Sequence, residues 1–123
     1  MKIRLFLIAA FVILSTLACT QGEKKIKIGY IQITEDPVLN TAKEGLFKAL
    51  ADSGFIDGQN IRIIDNNANG DLSMIITILQ SLQSQGVDMI ITNSTPCMVS
   101  AAQIIKEIPV VFLSSHIEPE VVE

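Results

Sequence analysis

Short β-branched apolar runs alternate along the chain with longer segments whose apolar residues recur every three or four positions. The first run, Lys27-Ile28-Gly29-Tyr30-Ile31-Gln32-Ile33, predicts a strand. Asp36 and Pro37 follow, an N-cap residue and a residue suited to the first helical position. Leu39, Ala42, Leu46, Phe47 and Leu50 then mark one face of a helix that Gly54 stops. Residues 61–65 predict a second strand and residues 66–70 a polar turn. Asp71 caps a second helix that carries Leu72, Ile75, Ile76, Leu79 and Leu82 and ends at Gly86. A third strand is expected over residues 87–92, a third helix from Thr95-Pro96 to about Glu107, and a fourth strand over residues 109–113. The order is βαβαβαβ.

Strands apolar at successive positions, such as Met89-Ile90-Ile91 and Val110-Val111-Phe112, expect cover on both faces. With right-handed crossovers this is an α/β fold, an open doubly wound parallel sheet between helical layers. Such sheets bind ligands beyond the carboxyl ends of their strands, where the strand order reverses. That rule selects the loops at residues 34–36, 93–95 and 114–116.

Ahead of this domain, Lys2 and Arg4 precede an apolar run from Leu5 to Leu14, and Ser15, Thr16, Leu17, Ala18 and Cys19 follow. A membrane-spanning helix needs about 20 apolar residues, and this run is too short. The pattern predicts a lipoprotein signal peptide, a signal-peptide helix over residues 1–18, with lipid attached to Cys19 and a tether to residue 25. Thr16 stands where the commonest lipoprotein pattern has Leu. An ordinary signal peptide cleaved nearby, with Cys19 a bystander, is the alternative. Either way the protein is exported, and with lipid on Cys19 it is anchored to the membrane, facing the periplasm or cell exterior.

Removing residues 1–18 leaves 105, enough for one domain with a core. Of the nine Lys and Arg, two leave with the leader, and the remaining seven face thirteen Asp and Glu, a net of −6 that argues against nucleic acid as a partner. With Cys19 lipidated, Cys97 has no partner within the chain, which excludes a disulfide scaffold. One tyrosine and no tryptophan leave the core to Ile, Leu and Val.

The selected loops offer several chemistries. In Asn93-Ser94-Thr95-Pro96, hydroxyls and backbone N–H groups at a helix start suit a carboxylate, or Thr95 caps the helix. Asp36 accepts a ligand's ammonium group or caps the first helix. Glu35 reads as solvated, and Tyr30 and Gln32 as facing either the cleft end or a neighbouring helix. Cys97, in the first turn of the third helix, is either a reactive thiol or a small buried filler. Neither phosphate-cradling glycine pattern is present, one His and one spare Cys form no ligand set, and so no cofactor and no metal are expected. Ser114 or Ser115 with His116 would be the only nucleophile and base, and they lack an acid partner and a nucleophile elbow.

Several stretches together resemble the substrate-binding lipoproteins of ABC transporters, in particular the type I periplasmic-binding-protein family that includes tryptophan and tyrosine binders. They are residues 27–33 followed by Glu35-Asp36-Pro37, the turn Asn67-Ala68-Asn69-Gly70-Asp71, Val87-Asp88-Met89-Ile90-Ile91, Thr95-Pro96 and Ile108-Pro109-Val110-Val111-Phe112. The resemblance implies a Rossmann-like lobe that captures a small solute, an amino acid, for an ABC permease without being an enzyme. It implies that Gln32, Asp36, Asn67, Ser94 and Thr95 line one wall of the cleft. Glu118-Pro119 resembles the dipeptide that precedes the family's crossover to a second lobe. Residues 26–123 are therefore expected to be an N-terminal lobe in a fragment of a two-lobed protein. A small secreted hydrolase using His116, or a one-domain surface interaction protein, are the alternatives.

Overall fold

The computed structural model describes residues 24–114. The signal peptide, Cys19, Ser115, His116 and Glu118-Pro119 lie outside the described residues. Strand β1 (Ile26–Gln32) leads to helix α1 (Pro37–Asp52), then β2 (Ile61–Asn67), α2 (Leu72–Ser84), β3 (Met89–Asn93), α3 (Thr95–Ile104) and β4 (Val110–Leu113). The sheet order is β2-β1-β3-β4, and every pairing is parallel. The expected doubly wound α/β sheet is therefore present, with its order reversing between β1 and β3. Among the described residues, no helix is long and apolar enough to cross a membrane.

Alternation along the strands sorts the core into two faces. Ile28 and Tyr30 of β1, Ile61 of β2 and Ile91 of β3 pack under Leu46, Phe47 and Leu50 of α1. Ile31 and Ile90 point the other way, onto Ile75, Ile78, Leu79 and Leu82 of α2 and Cys97 and Ala101 of α3. The cover is unequal. Helix α1 has no fully buried residue, and Val111, expected to be covered, is 44% exposed on the α1 face. Among the described residues a single helix lies over that face, and its apolar contacts are centred on β1.

The capping expectations hold at Asp36 and Asp71, whose carboxylates accept from Val38 N and Leu39 N and from Ser73 N. Other boundaries move. β2 runs on through Asn66 and Asn67, expected to be turn, because both pair in register with Ile31 and Gln32. Helix α3 stops at Ile104, short of Glu107, since Ile105 turns extended and buries its side chain in the core. Thr95 is the first helical residue and Ser94 holds the cap position, so Thr95 is not the cap.

Gly29 sets the spacing of the α2 layer. A β-carbon there would stand 2.9 Å from both terminal carbons of Leu82, which is fully buried and cannot swing aside. Gly29→Ala should destabilise the fold by about 1 to 3 kcal/mol through overpacking, and Leu82→Ala by about 2 to 5 kcal/mol through a cavity. In urea unfolding the double variant is expected to lose less than the sum of the two, because the added methyl fills part of the vacated space. Strict additivity would show that the two side chains do not meet.

Candidate functional site

Register brings the ends of the strands into one row. Asn67 pairs with Gln32, Gln32 with Asn93 and Asn93 with Leu113, so three carboxamides stand side by side at the carboxyl edge. Gln32 and Asn93 are fully buried. Buried amides need partners, and most of these have them. Asn93 Nδ2 donates to the Tyr30 hydroxyl at 2.6 Å and to Leu39 O at 2.8 Å. The Tyr30 hydroxyl donates to Gln32 Oε1 at 2.9 Å. Gln32 Nε2 donates to Thr34 O at 3.0 Å and to Asn40 Oδ1 at 3.1 Å. One chain of hydrogen bonds therefore ties the loop after β1 to the end of β3.

Asn67 and Glu35 extend the chain toward solvent. Asn67 Nδ2 donates to Glu35 Oε1 at 2.7 Å, while Asn67 Oδ1 accepts from Asn69 N. The amides of Asn40 and Asn67, and the charge of Lys43, hold the Glu35 carboxyl below its ordinary range. Glu35 is exposed, as the sequence reading expected, and it also forms the acidic end of this network. Lys43 also pairs with Asp65 at 2.6 Å and sits 5.5 Å from the centre of the Tyr30 ring. Phe47 meets that ring edge-on.

The start of α3 differs from the other two helix starts. Its cap residue, Ser94, makes no side-chain bond to the helix and has φ 141° and ψ 152°. That region is tolerated mainly by glycine, and a side chain held there costs about 1 to 3 kcal/mol. Around it, Thr92 Oγ1, Asn93 Oδ1 and Ser94 Oγ are buried without a hydrogen bond. The polar neighbour of Ser94 Oγ is the Cys97 thiol, whose pKa is pushed up by burial and drawn back slightly by that hydroxyl. Cys97 is fully buried and is the filler, not the reactive thiol, of the two readings.

Of the expected wall, the structure aligns Gln32 and Asn67 in the end row and sets Ser94 and Thr95 at the start of α3. Asp36 caps α1. Gln32 and Asn67 have both ends of their amides engaged within the protein. Asn40 is the part that the sequence reading missed, while Tyr30 and Asn93 were named in it without their bond to each other. The period of two that puts Tyr30 and Gln32 on one strand face was the available signal. An open depression of about 440 Å³, lined by Pro37, Val38, Thr41, Ala42 and Ser114, adjoins this edge. A second, apolar hollow of about 290 Å³ lies at the opposite edge, between Ile26, Ile28, Phe55 and Met89. Among the described residues, no three His, Cys, Asp or Glu side chains gather where a metal ion could sit.

The profile of the family described as ABC transporter substrate binding protein matches residues 27–120. The chain is 38% identical over 92 residues to a tyrosine-binding protein of Clostridioides difficile, a match covering 75% of this chain and 27% of that protein. It superposes with a TM-score of 0.74 and 34% identity on the ligand-free, open structure of a substrate-binding protein with adhesive properties from Clostridium difficile, covering 77% of this chain and 32% of that one. A structure described as an ABC domain in complex with L-Trp, from Streptococcus pneumonia, gives a TM-score of 0.71 at 29% identity and covers 76% and 32% of the two chains. The chain thus spans about a quarter to a third of the length of these relatives.

Two outcomes are expected from this geometry. Ser94→Gly should relieve the strain and raise unfolding stability by about 1 kcal/mol, measured by urea denaturation; unchanged or lower stability would show that the conformation is not costly. The Tyr30 pKa is raised from 10.0 to about 12, mainly by burial, with the Asn93 hydrogen bond opposing and Asp65 adding. Because the folded value lies above the unfolded one, the neutral phenol's contribution is complete below pH 10 and is lost as pH rises through about 12. Unfolding curves collected across this range should show that loss in the native chain and not in Tyr30→Phe.

Proposed function

Because the chain belongs to the ABC transporter substrate-binding protein family, we propose that it captures an aromatic amino acid at the carboxyl edge of its sheet and presents it to an ABC permease. The observation that carries this reading is the start of α3. Its first intrahelical bond runs from Met98 N to Ser94 O, so the Cys97 amide has no acceptor within the helix, and no cap side chain covers that end. A helix N-terminus in this condition attracts a carboxylate. The aromatic preference draws on the tyrosine-binding relative and the L-Trp complex, and on the Pro37, Val38 and Ala42 surface beside the edge.

In this reading Ser94 and Thr95 meet the ligand, Gln32 and Asn67 hold the loops that frame it, and Asp36 fixes α1 beside it. Residues 26–123 supply one wall of the cleft, and a second α/β lobe supplies the other by closing over the solute. Residues 1–18 direct export, and lipid on Cys19 anchors the protein at the outer face of the membrane, next to the permease. The role is binding without catalysis.

One series of measurements tests these points. Expressed in bacteria, the full chain should fractionate with membranes, and Cys19→Ser should release it; release that does not depend on Cys19 removes the anchor. Titrated in solution, the released protein should bind L-tryptophan or L-tyrosine in preference to L-glutamate. With one wall leaving much of the ligand in water, an affinity in the millimolar range is expected, about −4 kcal/mol. Equal response to all three amino acids, or none, would overturn the proposed specificity.

A further inference from the structure

The polarity of the buried hydrogen-bond chain is forced from one end to the other. Thr34 O can only accept, so Gln32 Nε2 faces it and Asn40 Oδ1. Gln32 Oε1 is then an acceptor, and the Tyr30 proton must go to it. The Tyr30 oxygen is left to accept from Asn93 Nδ2, whose other proton goes to Leu39 O, again a group that only accepts. The Asn93 amide therefore has one permitted orientation. Its carbonyl arm, Oδ1, is turned away from Tyr30 and Leu39, is buried, and has no donor. The chain ends in an unfilled acceptor on the last residue of β3, directly before Ser94.

We propose that Asn93 Oδ1 accepts a hydrogen bond from the ammonium group of the bound amino acid, and that Tyr30 is the positioning residue that aims it. The inference rests on the amino-acid reading above and assigns the half of the ligand which that reading left open. A carboxylate at the Cys97 amide keeps the ammonium group of the same α-carbon close to this turn, and the acceptor at the end of β3, just before it, matches that group in sign. Gln32 and Asn67 have less unmet capacity for this role, since each carbonyl oxygen already accepts one bond, from Tyr30 and from Asn69 N, whereas Asn93 Oδ1 accepts none. Oδ1 is covered in this conformation, so the turn beginning at Ser94 must shift to admit the ligand. Ser94 is the residue whose backbone is strained.

The test compares L-tryptophan with indolepropionic acid, which has the same ring and carboxylate and no ammonium group. In nitrogen-labelled full chain, L-tryptophan should move the Asn93 side-chain amide resonance and indolepropionic acid should not. The amino acid should also bind about ten-fold more tightly, as a charge-assisted hydrogen bond allows. Tyr30→Phe should bring that ratio close to one, a change in selectivity that loss of stability alone does not produce. An equal shift of the Asn93 amide with both compounds, or a ratio unchanged in Tyr30→Phe, overturns the assignment while leaving carboxylate binding standing. If neither compound perturbs the carboxyl edge, the amino-acid reading falls together with it.

Discussion

A strand hydrogen-bonded on both edges and covered on both faces can leave none of its groups to water, and β1 is one of the two interior strands here. Paired with β2 and β3, it must present apolar side chains, satisfied polar ones or none at all at each position from Ile28 to Gln32, every one of which is buried. Each solution is visible. Ile28 and Ile31 are apolar, Gly29 lets Leu82 of α2 lie against the backbone, and Tyr30 and Gln32 satisfy one another. The spacing of the helical layers and the position of the loop after β1 both follow from those five residues.

Satisfying Tyr30 and Gln32 has a structural result at the carboxyl edge. Their partners come from α1 and β3, so the network that removes a burial penalty also fixes two loops relative to each other. Asn93 is held at one end and left without a donor at the other. Ser94, next in the chain, takes up a backbone conformation that a serine adopts only when its surroundings insist. Unmet hydrogen-bonding capacity thus runs through three consecutive residues, Thr92 to Ser94, and backbone strain falls on the last of them. In the proposed reading, that unmet capacity is free energy to be recovered on contact with a ligand.

The two faces of the sheet are not equally firm. The α2–α3 face buries a continuous aliphatic cluster, whereas α1, none of whose own residues is fully buried, rests on a smaller group. Tyr30 compensates at the centre of the weaker face, where Phe47 meets its ring and Lys43 lies over it while pairing with Asp65. Anchoring α1 there also places Asp36 and the first turn of α1 beside the open depression.

Much of this was legible in the chain itself. Periodicity, caps and stop glycines located all seven elements of the described residues, and the successive apolar residues of β3 and β4 pointed to a parallel sheet between helical layers, because local propensity and burial pattern are properties of short segments. Asp36 and Asp71 were readable as caps for the same reason. What the tertiary structure decided was everything that depends on register. Asn67, Gln32 and Asn93 are far apart in sequence and become neighbours only when three strands align, which turned an expected turn at Asn66 and Asn67 into strand and gave the solvated Glu35 a bond to Asn67. The direction of the hydrogen bonds through Tyr30, and the strained start of α3 at Ser94, likewise had no local signal, since both arise from partners that only folding brings within hydrogen-bonding distance.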